Sequence, residues 1–266
     1  MKTKSPAASR SQGRGPRIRP VPAVTRAVAI LRLLGSRSTP IGLKEIAQAL
    51  HFVPSTCLHI LRALIEEKLV RVNPDSKQYS LHIGMLPLAR SVLEHNSFAT
   101  LAQPSLDRLS KQYGLTAIGV ELVGLQHMVV IALSRSPERL GLHVTVGSRF
   151  PALISASGRC VAAFGDYSMK EIEERFRTLR WDNVPKLDVW RKEVEISRKK
   201  GYAIDRGNYI NGVTVIAVPV LDTDRHITHA IVLLGLTEQI NSSVAVSIAT
   251  DMRTCAEAIA AQLISR

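Results

Sequence analysis

Ser155, Ser157 and Cys160 stand together in SASGRC, residues 155–160, and each is a residue type that attacks a carbonyl carbon when a base lies beside it. The nucleophile-elbow pattern G-x-S-x-G needs Gly two residues before the Ser, and Ser155 fills that place ahead of Ser157. His127, His143, His226 and His229 fall on or beside apolar, strand-like runs, and none is spaced from an Asp or Glu as a metal site would require. Cys57, Cys160 and Cys255 are far apart, odd in number and without C-x-x-C spacing, which predicts buried thiols rather than a disulfide framework or a zinc site. No Gly-rich loop has Walker or dinucleotide spacing. The expectation is therefore no catalytic residue, no metal and no cofactor, with a hydrolase or other small-molecule enzyme using Ser157 or Cys160 as the alternative.

A second group of residues suits binding. HFVPSTCLHILRAL, residues 51–64, breaks at Pro54 and then places Cys57, Ile60, Leu61 and Leu64 on one helical face, leaving Ser55, Thr56, His59 and Arg62 on others. Pro is tolerated at the first helical position because its missing N–H would have had no partner there. IGLKEIAQAL, residues 41–50, puts Leu43, Ile46, Ala47 and Leu50 on one side of a preceding helix, with small Ala47 where the two helices press closest. Two short helices joined by a tight turn are helix-turn-helix spacing, in which the second helix enters the DNA major groove N-terminus first. The turn position that usually takes Gly is His51, a residue type comparatively tolerant of positive φ. AVTRAVAILRLLGS, residues 23–36, supplies a helix ahead of the pair, with Val24, Ala27, Val28, Leu31 and Leu34 as its apolar stripe. After it the period changes to two: Val70 and Val72, then Tyr79 and Leu81, flank the turn-forming NPDSK. That predicts a two-stranded basic wing carrying Arg71 and Lys77.

Charge agrees with this division. Residues 1–98 carry 15 Lys+Arg against 5 Asp+Glu, so +10 of the net +13 lies in the first third. Residues 1–26 hold seven basic residues and no acid, interleaved with Ser, Gly and Pro. Such a segment lacks the apolar content to fold alone, so residues 1–20 are expected to be a disordered basic arm, either a solvated leader or a source of non-specific attraction to a polyanion. At 266 residues and 45% hydrophobic content the chain has room for about two domains of roughly 100–200 residues. No apolar run reaches the roughly 18 residues of a membrane span and no signal peptide is visible, so a cytoplasmic protein with no membrane partner is expected.

The order of parts resembles the IclR family of bacterial transcriptional regulators. VTRAVAILRLL, IGLKEIAQAL and PSTCLHILRALIEEKLVRVNPDSKQYSLHIG are similar to that family's DNA-binding domain; VGSRFPALISASGRCVAAF, RKKGYAIDRGNYINGVTVIAVPVLD and ITHAIVLLGL are similar to its effector-binding domain. The resemblance covers nearly the whole chain from about residue 21. It implies an α+β protein of two domains, an N-terminal winged helix-turn-helix (21–83) and a C-terminal GAF-like α/β effector-binding domain (99–266), joined by a linker helix (84–98). It also implies self-association into a dimer or tetramer, double-stranded operator DNA as a partner and a small-molecule effector, which the residues at the start of the 157–165 helix lead one to expect is a small organic acid.

The residues of the second half give a compatible reading by themselves. Val- and Ile-rich runs at 115–124, 126–135, 140–148, 212–222 and 227–236 read as strands, and helices are expected at 103–114, 157–165, 168–178, 186–200 and 241–265. Ser155 is placed to cap a helix starting near Ser157, whose free N–H groups, with Gly158 allowing close approach, make a seat for a carboxylate. The resemblance puts effector contacts on Ala156, Ser157, Asp205, Val215, Val232 and Leu234. Several family members have Cys or Ser at the last three positions, so Val, Val and Leu there favour a larger apolar ligand body, aromatic for instance, or else simply fill the core. On the DNA side Ser55, Thr56 and His59 face outward, Thr56 and His59 toward base edges, while Arg26, Arg62 and Arg71 position the domain on phosphates, aided by Lys77. Many members have Arg where this chain has His59, which shifts the expected base preference, since His donates to or accepts from base edges in either neutral tautomer whereas Arg is best suited to bidentate pairing with guanine.

Overall fold

The computed structural model describes residues 21–135 and 144–265. The basic arm at 1–20 and His143 lie outside the described residues. The chain divides into two compact units, Met1–Ser91 and Val92–Arg266.

In the first unit α1 (Pro22–Gly35), β1 (Ile41–Gly42), α2 (Leu43–Leu50), α3 (Pro54–Glu66), β2 (Val70–Val72) and β3 (Gln78–Leu81) surround one core. Ile46 and Ala47 of α2 and Cys57, Leu61 and Leu64 of α3 are buried together, as the helical periodicity predicts. The face of α1 is rotated from the predicted stripe: Ile30 and Leu34 are buried, whereas Val24 is exposed because its turn lies beyond the part of α1 that the core covers. His51 ends α2 in the left-handed region (φ 54°, ψ 40°), and the Phe52 N–H donates to the Ala47 carbonyl at 2.9 Å, closing the turn before α3. A non-Gly residue in that conformation costs roughly 1–2 kcal/mol, which the closed turn and the α2–α3 packing must offset. β2 and β3 pair antiparallel with Val72 opposite Tyr79, and β1 joins the other side of β3. Asn73 shapes the wing turn, its Oδ1 accepting from the N–H groups of Asp75 (2.9 Å) and Ser76 (3.1 Å).

α4 (Met85–His95) is the helix that the sequence places between the domains. The second unit then holds α5 (Ser97–Tyr113), β4 (Thr116–Val123), β5 (His127–Ser134), β6 (Arg149–Pro151), α6 (Ser155–Phe164), α7 (Met169–Phe176), α8 (Leu187–Lys200), β7 (Ala203–Arg206), β8 (Val213–Leu221), β9 (Ile227–Leu236) and α9 (Ser242–Ile264). The six strands form one antiparallel sheet in the order β6-β5-β4-β9-β8-β7. Side-chain alternation along each strand gives the sheet two apolar faces. On β8 and β9, Ile216, Val218, Ile231 and Leu233 pack with α5 and α9, while Val215, Ala217, Val232 and Leu234 face α6 and α8. The α+β class with two domains is therefore what the chain adopts.

Three local expectations are corrected. The strand expected at 140–148 is not found in its described part: residues 144–148 form a turn, and the edge strand is Arg149–Pro151, where Phe150 pairs with Met128. α5 begins at Ser97 rather than 103, because Asn96 caps it by accepting from the Ala99 N–H at 2.9 Å and because Phe98 and Ala102 are buried. Pro104 thus lies inside the helix rather than near its start. α6 begins at Ser155 rather than 157 and has no side-chain cap.

Candidate functional site

Two sites are built by these elements, one in each unit. On the first, Ser55, His59 and Arg62 are exposed on α3 and Thr56 is half-buried, so the N-terminal half of α3 presents a polar surface while Cys57 and Leu61 hold its back to the core. Arg26 is exposed on α1, and its guanidinium lies over the Phe52 ring at 5.8 Å, which fixes it beside the turn between α2 and α3. Arg71 is held across the wing, its Nε donating to Ser80 Oγ at 3.0 Å, and Lys77 occupies the wing turn with φ 54°. A helix N-terminus that is polar outside and apolar behind, with cations on α1 and the wing, has the composition of a duplex-reading surface.

The second site is a cavity of about 70 Å³ in the C-terminal unit, between the sheet and the start of α6. Its floor is made by Ile118, Val120, Val215, Val232 and Leu234, whose side chains share the α6 side of the sheet because Val215 pairs with Leu234 and Ile118 with Val232. Phe150, Tyr209 and Ile210 stand on its other side, and Ser155 and Ser157 meet it from α6. Burial is the main cause, and the Asp182 carboxylate a second, that pushes the Tyr209 phenol above its ordinary pKa, so it stays protonated.

Ser155 is the unusual residue here. It is not a cap: it sits at φ 58° as the first residue of α6, 3% exposed, and its Oγ has no hydrogen-bond partner among the described residues. An unpaired buried hydroxyl costs roughly 1–3 kcal/mol, so such a group at a cavity wall calls for a ligand. The N–H groups of Ser155, Ala156 and Ser157 have no intrahelical acceptor, as in any first turn. Arg159, one turn on and 1% exposed, holds this arrangement. Its Nη1 donates to the Ser155 carbonyl (2.9 Å), its Nη2 to Asn208 Oδ1 (2.9 Å) and its Nε to Glu193 on α8 (2.8 Å).

The other predicted effector residues divide. Ser157, Val215, Val232 and Leu234 line the cavity; Ala156 and Gly158 do not, being buried in the packing of α6. Gly158 serves a backbone contact rather than a ligand, because a Cβ there would lie 2.0 Å from the Leu153 carbonyl carbon. Asp205 is 1% exposed and off the cavity wall; its carboxylate accepts from the N–H groups of Asn208 (2.9 Å) and Tyr209 (3.2 Å), which sets the 207–212 loop that carries Tyr209 and Ile210. Sequence reasoning missed Tyr209, Phe150 and Arg159, and it gave Ser155 a different task.

Nothing in the cavity favours covalent chemistry. Ser157 Oγ donates to the Ile154 carbonyl at 3.3 Å, and no His, Lys, Asp or Glu among the described residues lines the wall. Cys160 is fully buried, with burial pushing its thiol up to about 12, so it is not a thiolate nucleophile at neutral pH. All three cysteines are free and buried, as expected.

Comparison with known proteins gives the family. The model for the C-terminal region of the bacterial transcriptional regulator IclR matches residues 90–261, and that for the IclR helix-turn-helix domain matches residues 23–74. The chain belongs to the IclR family. It is 28% identical over 249 residues to the glycerol operon regulatory protein of Streptomyces griseus, covering 92% of this chain and 97% of that one. It is 28% identical over 215 residues to the Pca regulon regulatory protein of Pseudomonas putida, covering 78% and 72% respectively. The crystal structure of an IclR transcriptional regulator from Alicyclobacillus acidocaldarius superposes with a TM-score of 0.81 at 26% identity, over 91% of this chain and 99% of that one. An IclR homologue from Microbacterium hydrocarbonoxydans, solved in complex with 4-hydroxybenzoate, shares the fold at 16% identity with a TM-score of 0.74, over 91% and 98%. The IclR chain described here is thus a transcriptional regulator rather than an enzyme, built of a helix-turn-helix domain and an α/β effector domain. No helix among its described residues is long and apolar enough to cross a membrane.

Proposed function

We propose that this IclR-family chain binds operator DNA through α3 and the wing, and that a small organic acid held at the start of α6 modulates that binding. The observation that carries the effector half is the unpartnered Ser155 Oγ at the cavity wall, beside first-turn N–H groups that suit a carboxylate. The 4-hydroxybenzoate bound by the Microbacterium hydrocarbonoxydans homologue supports an acid as the ligand class. An aromatic acid requires side-chain movement here, since a ring needs roughly 150 Å³ and the cavity is about 70 Å³. Phe150, Tyr209 and Ile210, on an edge strand and a loop, are the wall that gives way first. Replacing polar wall residues by Val215, Val232 and Leu234 makes the ligand's body, not its carboxylate, meet the sheet.

On the DNA side Thr56 and His59 read base edges, Ser55 supports them at the helix start, and Arg26, Arg62, Arg71 and Lys77 contact phosphates. Leu86, Leu88 and Val92 are large and exposed on α4, which supports self-association into a dimer or tetramer so that two α3 helices meet two half-sites. The cytoplasm, where DNA is met, is the proposed location. The test is fluorescence anisotropy of the full chain on its own upstream DNA with and without organic acids. An acid that shifts operator affinity for the wild type, and does so at tenfold higher concentration or not at all for Ser155→Ala, is the expected result; identical titrations with every acid would overturn the effector half.

A further inference from the structure

The walls of the effector cavity limit what the acid carries besides its carboxylate. On the sheet side Ile118, Val120, Val215, Val232 and Leu234 end in methyl groups, so no side chain there can hydrogen-bond a ligand. The main chain cannot either. These residues lie on β4, β8 and β9, each flanked by a strand on both sides, so their N–H and C=O groups point along the sheet and serve its own ladders. At the other end the start of α6 offers the unpartnered Ser155 Oγ, on a residue only 3% exposed, together with first-turn N–H groups. A carboxylate has a seat at α6, and whatever it is attached to meets hydrocarbon. A hydroxyl, oxo or second carboxylate group turned toward the sheet would give up water and gain no partner. Size sharpens the limit. A cavity of roughly 150 Å³ takes a six-carbon ring, so about 25 Å³ goes with each carbon. By that measure the cavity of about 70 Å³ holds roughly three non-hydrogen atoms before any side chain moves. Leu234 and Val215 are buried and pair across β9 and β8, so the room is bounded there by packed sheet side chains rather than by a loop.

We propose that the effector of this chain is a short aliphatic monocarboxylate of about two to four carbons, and that Leu234 and Val215 set its upper size. The inference rests on the effector reading above and adds the class of acid. The carboxylate lies at Ser155 and the first turn of α6, and a tail without polar groups lies on Val215, Val232 and Leu234.

Isothermal titration calorimetry of the full chain with acetate, propanoate, butanoate, hexanoate, benzoate, succinate and 3-hydroxypropanoate tests it. The tightest ligand should be one of the first three. Hexanoate and benzoate should each bind at least about tenfold more weakly, since Phe150, Tyr209 and Ile210 must move to admit them. Succinate should not bind, and 3-hydroxypropanoate should bind about tenfold to a hundredfold more weakly than butanoate, whose end methyl it replaces by a hydroxyl. Leu234→Ala removes three carbons from the wall, which brings the cavity to roughly the 150 Å³ of a six-carbon ring. That variant should bind hexanoate or benzoate at least about tenfold tighter than the wild type does and lose its preference for the short acids. A melting curve with a cooperative transition shows that it folds; if it does not, Val215→Ala, which removes two carbons, decides by the same shift toward hexanoate, and the wild-type series decides the class without either variant. Hexanoate, benzoate or succinate bound by the wild type as tightly as the best short acid, 3-hydroxypropanoate bound as tightly as butanoate, or an order of preference that a folded wall variant leaves unmoved would overturn the proposal and leave the effector reading standing. So would a wild type that binds none of the seven while another organic acid shifts its operator affinity. Wild-type protein that binds none of them, and whose operator affinity no acid shifts, would remove both.

Discussion

Arg159→Met removes a guanidinium that is 1% exposed and makes three hydrogen bonds of 2.8–2.9 Å, while keeping most of the apolar length of the side chain. The loss is the Ser155 carbonyl and Asn208 Oδ1 left without their donor, plus the ion pair to Glu193 at 2.7 Å. Deleting one partner of a buried pair costs about 3–5 kcal/mol, and the lower end applies because the Glu193 carboxylate is 38% exposed and regains water. A loss of about 3 kcal/mol in a unit of this size lowers the melting temperature by about 6–12 °C, at roughly 2–4 °C per kcal/mol. Circular dichroism melts of the full chain should show the drop in the transition of the C-terminal unit, with the helix-turn-helix unit unchanged. Effector response should weaken too, because Arg159 fixes both the Ser155 backbone and the 207–212 loop. A change below about 2 °C would refute the reasoning and show that burial of the arginine cancels what its hydrogen bonds contribute.

Other outcomes follow from the same geometry. Thr56→Ala and His59→Ala should each weaken cognate binding by about 1–3 kcal/mol and relax base preference at one or two positions, whereas Arg71→Ala should weaken cognate and scrambled duplexes alike; anisotropy titrations at one fixed salt separate the two. His51→Val should destabilise the first unit by more than 1 kcal/mol, since a β-branched residue is strained at φ 54°, while His51→Gly should cost little or nothing, as thermal melts will report. His229, stacked on Phe98 at 4.2 Å, is held below its ordinary pKa chiefly by burial, with Glu121 opposing. A depressed histidine pKa means the unfolded chain takes up the proton first, so stability falls as pH drops below about 6.5 and levels off below the folded pKa; His229→Gln should flatten that part of the curve of melting temperature against pH.

What the sequence displayed was whatever rests on local periodicity. The stripes on α2 and α3, the turn at His51, the wing around NPDSK and the Val- and Ile-rich central strands are all patterns of neighbours in the chain. Val215, Val232 and Leu234 were named through the family resemblance, and that they share one sheet face follows from the pairing of β8 with β9. What escaped depends on tertiary approach. Arg159 reads as a surface residue in a helix, because arginine is seldom fully buried; here its burial depends on Glu193 and Asn208, far along the chain. Ser155 at positive φ has no sequence signal, since Gly is the residue that announces that conformation. Phe150 and Tyr209 lie on a three-residue edge strand and a loop, neither with enough repeats to show a period. Gly158 looked like room for a ligand and is room for the Leu153 backbone.

The central claim, DNA binding modulated by an acid at α6, meets its most direct test in one titration. The full chain is titrated onto a duplex of its own upstream DNA and onto a scrambled duplex, across a range of salt, with and without the acid that most raises its melting temperature. The account predicts tight, salt-steep binding to the upstream duplex, weaker binding to the scrambled one, and a shift of the first by the acid that Ser155→Ala removes. Equal affinity for both duplexes at every salt concentration, unmoved by any acid that binds the protein, would contradict it.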